Sequence, residues 1–227
     1  MSLRKRDVIA TIEYPETDGE PMAETDLHRR LMMDLIETLE WFFQSKPDVY
    51  VSGNLLLYYV EGNPGKRVAP DVFVVRGVSK EPRRIYKLWE EGQVPAVVIE
   101  LSSRKTWRED LYTKLHLYAQ LGVAEYFIFD PEYDYLPEPL VGWRLKSGEY
   151  APLEVPEGRV RSNALGLELV DTGQTLRLCD PRTGQFLLTP AEEIEARLRA
   201  EAEVARLGQQ VEKLRRQLSA KASRKRK

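Results

Sequence analysis

VPAVVIELSSRKTWREDLYTKLHL, residues Val94–Leu117, couples a short apolar run to a charged segment with helical spacing. The run Val94–Leu101 is rich in β-branched residues and too short to span a membrane, which predicts a buried strand. Glu100 alone interrupts it. A carboxylate at the end of a strand that is apolar on both faces loses its hydration and needs a cation, a hydrogen-bond donor or a proton. Upstream, Pro70-Asp71 opens a second apolar strand, Asp71–Val75. Two carboxylates on neighbouring strand ends are ligands of the kind that a hard, oxygen-seeking cation such as magnesium takes. The structural alternative is that Asp71 caps a turn and Glu100 pairs with a nearby base. Beyond the strand, Thr106 is a candidate cap for a helix Trp107–Leu121 whose buried stripe is Leu111, Leu115, Tyr118 and Leu121. Lys114 follows Asp110 by one turn, a spacing that also fits an ordinary helix ion pair.

Five pieces stand in a fixed order: Pro70-Asp71, Glu100-Leu101-Ser102-Ser103, Arg108-Glu109-Asp110 with Lys114, Gly122-Val123-Ala124-Glu125-Tyr126 and Asp130-Pro131. The set resembles the PD-(D/E)xK nuclease core and, more closely, the Uma-type restriction endonuclease family, over roughly residues 20–131. That resemblance implies an α/β (α+β) fold, a restriction-endonuclease-like mixed sheet flanked by helices, and hydrolysis of phosphodiester bonds in DNA. It implies magnesium or manganese held by Asp71, Glu100 and the Leu101 carbonyl. It also implies a further acid on the first helix, for which Glu24 is the candidate; on spacing alone Glu24 also reads as a first-turn glutamate favouring the helix dipole. The usual pattern has lysine two residues after the glutamate, where this chain has Ser102. The resemblance makes Lys114, on the following helix, its replacement, orienting or deprotonating the attacking water and offsetting charge on the phosphate. Ser102 is left to hydrogen-bond the water or a metal ligand.

Working outward, 227 residues with 42% hydrophobic content suffice for one sizeable core and an appendage. A net charge of −2 and a pI near 5.9 give no protein-wide basic field, so any nucleic-acid surface is local. Cys179 is the only cysteine, which excludes an intrachain disulfide and multi-thiolate zinc sites and fits a reducing compartment. No signal core or membrane-length run is visible, and the expected location is the cytosol. Residues 1–21 read as an arm with turn formers at Asp18-Gly19 and Pro21. Thr25 or Asp26 can cap an amphipathic helix running to about Gln44, carrying Leu27, Leu31, Leu35, Ile36, Leu39 and Phe43. His28, one turn in, reads as a phosphate contact or a satisfied histidine. Residues 49–60, around Ser52-Gly53-Asn54, predict one bent strand or a tight pair, and Glu61–Lys66 a turn. The connector 76–92 interleaves Lys80, Arg83, Arg84 and Lys87 with Tyr86 and Trp89, which suits a phosphate backbone and unstacked bases, although snorkelling stems and packed rings on a surface turn are the commoner use of such residues.

Glu125–Asp130 predicts a further buried strand, parallel to the Glu100 strand through the intervening helix. Gly142–Leu153, turning at Gly148, Leu165–Val170 and Thr175–Leu178 predict a β-rich addition against the sheet edge. From Thr189-Pro190 the composition shifts to Ala, Glu, Arg, Leu and Gln, a helix entry followed by Val204, Leu207, Val211, Leu214 and Leu218 at heptad spacing. Ile194 and Leu198 fall out of that register, and Ser223–Lys227 adds a basic end. The expected organisation is an arm (1–21), a nuclease-like core (22–131), a β-rich extension packed on it (132–188) and a coiled-coil-like helix with its tail (189–227). DNA and a second copy of the chain, as homodimer or higher oligomer, are the expected partners. The rival reading is a catalytically silent DNA-binding or assembly protein that keeps the nuclease frame and self-associates through its last helix.

Overall fold

The architecture follows from a sheet whose central strands are apolar on both faces. The computed structural model describes residues 12–17, 19 and 25–224, with side chains described to Arg216. Thr25 caps α1 (Asp26–Phe42), its hydroxyl accepting from the His28 N–H at 3.2 Å. There follow β1 (Val49–Ser52), β2 (Leu57–Tyr58), β3 (Arg67–Val68), β4 (Val72–Arg76), β5 (Tyr86–Lys87), the single turn α2 (Leu88–Glu91) and β6 (Val97–Leu101). A π-helical segment, Glu109–Lys114, runs into α3 (Leu115–Leu121), and β7 (Glu125–Phe129) returns beside β6. Next come β8 (Leu140–Lys146), β9 (Glu149–Pro152), β10 (Arg159–Ser162), β11 (Leu167–Asp171), β12 (Leu176–Asp180) and β13 (Gln185–Phe186). The last helix is α4 (Pro190–Arg224).

The main sheet has the order β1-β4-β6-β7-β8-β9 and is antiparallel except for the β6–β7 pair, which is parallel as the crossover through α3 requires. β10–β13 form a second, antiparallel sheet, and β3-β2-β5 a third, small one. Alternation along the strands divides two cores. Val72, Val74, Val97, Ile99, Leu101, Phe127 and Phe129 pack with Leu31, Leu35 and Leu39 of α1 and with the second sheet. Phe73, Val75, Val98, Tyr126 and Ile128 form the opposite core with Tyr118 of α3 and the third sheet.

Three expectations change. Residues 49–60 are neither one bent strand nor a tight pair, because β1 joins the main sheet while β2 pairs with β3 and β5 elsewhere. The predicted turn 61–66 links β2 to β3, closed by the Tyr59 N–H to Lys66 carbonyl bond at 3.1 Å. The Gly142–Leu153 hairpin extends the main sheet through β8 and β9, and β10 and β13, unpredicted, flank β11 and β12 in the second sheet. The helix expected over 107–121 contains the π-helical segment at its N-terminal half.

Chain contacts divide into two units, Met1–Leu187 and Leu188–Lys227. In the second, Thr189 and Glu192 form a capping box: the Thr189 N–H donates to Glu192 Oε2 at 2.8 Å and the Glu192 N–H to Thr189 Oγ1 at 3.4 Å. No helix among the described residues is long and apolar enough to cross a membrane.

Candidate active site

Register brings the two sequence-predicted acids together. β4 and β6 are antiparallel with Val72 opposite Ile99 and Phe73 opposite Val98, so the same register carries Asp71 opposite Glu100. The Asp71 N–H donates to Glu100 Oε2 at 3.3 Å, and the Leu101 N–H donates to Asp71 Oδ2 at 2.7 Å. Period-two alternation puts Glu100 on the face of Val98, toward α3. Gly53 lets another backbone lie against this point: a Cβ there would sit 2.0 Å from the Asp71 carbonyl oxygen. The Asn54 N–H binds the Pro70 carbonyl at 2.8 Å beside it.

The helix side supplies the rest. Asp110, Lys114 and Tyr118, spaced by four, face the sheet. Lys114 Nζ lies 3.0 Å from Glu100 Oε2 and 2.9 Å from Asp110 Oδ1, so the ordinary helix pair and the contact with the strand glutamate coexist. The Tyr118 hydroxyl donates to Glu100 Oε1 at 2.7 Å, and the Tyr126 hydroxyl to the Asp110 carbonyl at 3.0 Å. The π-helical segment spans both Asp110 and Lys114; such widened turns re-aim side chains and recur at functional sites. Ser102 is tied to this helical segment. It is buried, and its hydroxyl donates to Asp110 Oδ2 at 3.0 Å. Glu24 lies outside the described residues. From α1, buried His28 approaches instead, with Nε2 3.3 Å from Asp71 Oδ1.

The cluster is electrostatically unbalanced. Burial, joined by the charges of Asp71 and Asp110, lifts the Glu100 carboxyl to about 8 against the opposing influence of Lys114 and Tyr118. Burial also acts to raise Asp71, but the His28 contact, the Lys114 charge and the Leu101 N–H outweigh it and hold that carboxyl below its ordinary range. For Lys114, burial favours the neutral amine, yet Glu100, Asp110 and Asp71 together keep it more firmly protonated than a free lysine. Asp71 and Lys114 line a cleft of ≈ 430 Å³ with His28, Asn54, Arg104 and Lys105.

The donor set suits a particular class of cation. Among the described residues no group of three His, Cys, Asp or Glu side chains is arranged to enclose a metal ion. Two carboxylates on facing strand ends are oxygen donors of the kind a hard cation takes, rather than the ligand set of a closed zinc site.

Sequence reasoning missed the roles of Asp110, Tyr118 and Ser102. For Asp110 and Tyr118 the signal was the i, i+4, i+8 row of polar groups on the sheet-facing side of one helix. The connector cations resolve as structure: Lys80 donates to the Phe43 carbonyl, Arg83 pairs with Glu91 over the Tyr50 ring, Arg84 pairs with Glu16 and Lys87 with Glu90. Asp130 is likewise a loop organiser, accepting the backbone N–H groups of Glu132, Tyr133, Tyr135 and Leu136.

No protein of curated function is similar to this chain at a significant level. A solved structure that resembles it is "a putative nuclease belonging to DUF820" from Anabaena variabilis ATCC 29413, with 14% identity and a TM-score of 0.47 over 66% of this chain and 81% of that one. With residues 9–176 of its 227 inside the model of Uma2, a family described as "Putative restriction endonuclease", the chain belongs to that family.

Proposed function

We propose that the protein is a magnesium- or manganese-dependent endonuclease that hydrolyses phosphodiester bonds in DNA. One observation carries the reading: Glu100 and Asp110 share the ammonium of Lys114, and Lys114 and the neighbouring Asp71 line an open cleft, so several buried acids gather around one lysine where a ligand can reach them. Asp71, Glu100 and the Leu101 carbonyl are the residues that would hold the cation. When bound, such an ion polarises a phosphoryl oxygen and lowers the pKa of water.

The chain's own residues then have distinct tasks. His28 and the Leu101 N–H fix the two oxygens of Asp71. Tyr118 fixes Glu100 from the other side. Lys114, tightly protonated between its carboxylates, orients water and offsets charge on the phosphate rather than removing a proton. Asp110, anchored by Ser102, positions Lys114. Glu24 remains the candidate for a further acid. We place the activity in the cytosol.

The test is cleavage of supercoiled and single-stranded DNA with magnesium or manganese, beside Asp71→Ala and Glu100→Ala. Metal-dependent cleavage lost by more than about 100-fold in both variants, or about 2.7 kcal/mol of barrier, is the expected result. Equal cleavage by both variants and the wild type would remove the assignment.

We further propose that α4 joins two copies of the chain. Val204, Leu207, Val211 and Leu214 recur at heptad spacing and are 46–70% exposed, an apolar seam that an isolated helix leaves in water. Leu207→Asp with Leu214→Asp should convert a dimer to a monomer in light scattering; a wild-type monomer would contradict this.

A further inference from the structure

The cleft contains cations that the proposed chemistry does not use. Arg104 and Lys105 are exposed and line it with Asp71, His28 and Lys114. Among the described residues neither has an ion-pair or hydrogen-bond partner, in contrast to Lys80, Arg83, Arg84 and Lys87 of the connector. An exposed cation gains little from a surface partner, so the absence of one is unremarkable by itself. Their backbone is what sets them apart.

The loop between β6 and the following helix is tied at both ends. The Ser103 N–H donates to Thr106 Oγ1 at 3.1 Å and the two hydroxyls meet at 3.0 Å. The N–H groups of Thr106 and Trp107 both return to the Ser103 carbonyl, at 3.1 and 3.0 Å. Arg104 and Lys105 therefore project from a fixed two-residue arch, their side chains free and their Cα atoms held. Arg104 is four residues beyond Glu100, so its Cα lies within about 14 Å of the acid site. That bound keeps the arch within the rise of about four nucleotides along one strand. A guanidinium and an ammonium held there match phosphates next to the one being attacked, and they carry no information about base identity.

We propose that Arg104 and Lys105 form a backbone-phosphate subsite that grips duplex DNA beside the scissile bond, without base preference. The proposal rests on the nuclease reading above and adds where the substrate is held. Glu132 also lines the cleft, and the Tyr135 hydroxyl donates to it.

The experiment is equilibrium binding of the full chain to a fluorescein-labelled duplex, by anisotropy in EDTA so that no cleavage occurs, over a series of salt concentrations. The wild type should give a steep fall of log K with log salt. Arg104→Ala with Lys105→Ala should weaken binding about equally for unrelated sequences and reduce the slope by about 2, since each lost phosphate contact removes roughly 0.9. Arg104→Lys with Lys105→Arg should restore the slope, and Arg84→Ala, outside the cleft, should leave it unchanged. A double-alanine variant with wild-type slope and affinity overturns the subsite, whether or not Asp71→Ala abolishes cleavage. A wild type that binds no DNA at any salt overturns the subsite, while metal-dependent cleavage tests the nuclease reading separately.

Discussion

Two buried acid clusters lie on the same sheet, and they differ in one respect that separates structure from chemistry. Glu125, on β7, faces Arg144 across the β7–β8 register and accepts from its Nε at 2.8 Å. Its carboxylate also receives the Ser162 hydroxyl and the N–H groups of Asn163 and Ala164, tying the main sheet to the second one. One acid meets one base, and the donors fill the remaining lone pairs. At Asp71 and Glu100, by contrast, Glu100 and Asp110 share one ammonium, and that lysine and the adjoining Asp71 open to a cleft. Burial alone therefore does not mark a reactive acid. In the proposed reading the mark is a shared cation beside an open cleft.

The largest test of that contrast is removal of the cation from the unbalanced cluster. Lys114→Met leaves Glu100 and Asp110 uncompensated and should cost about 3–5 kcal/mol in chemical denaturation. Millimolar magnesium should recover part of that loss by binding the folded state. Glu125→Ala should cost about 3 kcal/mol through the orphaned Ser162, backbone and Arg144 donors, and magnesium should recover none of it. If magnesium rescued both variants equally, the two clusters would not differ as described. Gly53→Ala should cost about 1–3 kcal/mol, because the new methyl meets the Asp71 carbonyl and the backbone must shift. Its cleavage rate should fall while the Glu125 cluster, read by the cooperativity of unfolding, stays intact.

The remaining test is a pH dependence. Glu100 is raised from an ordinary value near 4.5 to about 8, so its proton is bound more tightly in the folded protein. The stability it contributes is complete below about 4.5 and is lost as pH rises through about 8. Asp71 has the opposite sign: its contribution is present at neutral pH and is lost on acidification. Glu100→Gln should flatten the alkaline side of a denaturation-versus-pH curve and leave the acid side in place. An unchanged alkaline slope would show that Glu100 does not carry that proton.

What was legible in the sequence follows the same physics. Asp71 and Glu100 stood out because each breaks an apolar strand pattern, and burial makes such breaks expensive. The α1 stripe, its Thr25 cap and the α4 entry were legible because local chemistry determines them. Asp110 was hidden because a helix pair with Lys114 explains it at the level of spacing, and only the arrival of Glu100 shows its second purpose. His28 was readable as a histidine but not as the neighbour of Asp71, which depends on how α1 crosses the sheet. β2 could not be separated from β1 by composition, since both are rich in apolar residues and only Gly53 and Asn54 mark the departure. The Glu125 staple needed the register of β8 and the position of Ser162, both long-range.

The most direct measurement is calorimetric titration of the full chain with magnesium, repeated with Asp71→Ala, Glu100→Ala and Glu125→Ala. The account predicts binding that disappears in the first two variants and persists in the third once its lower stability is allowed for. Binding unaffected by Asp71 and Glu100, or no binding by the wild type, would contradict the claim that the unbalanced cluster is a cation site.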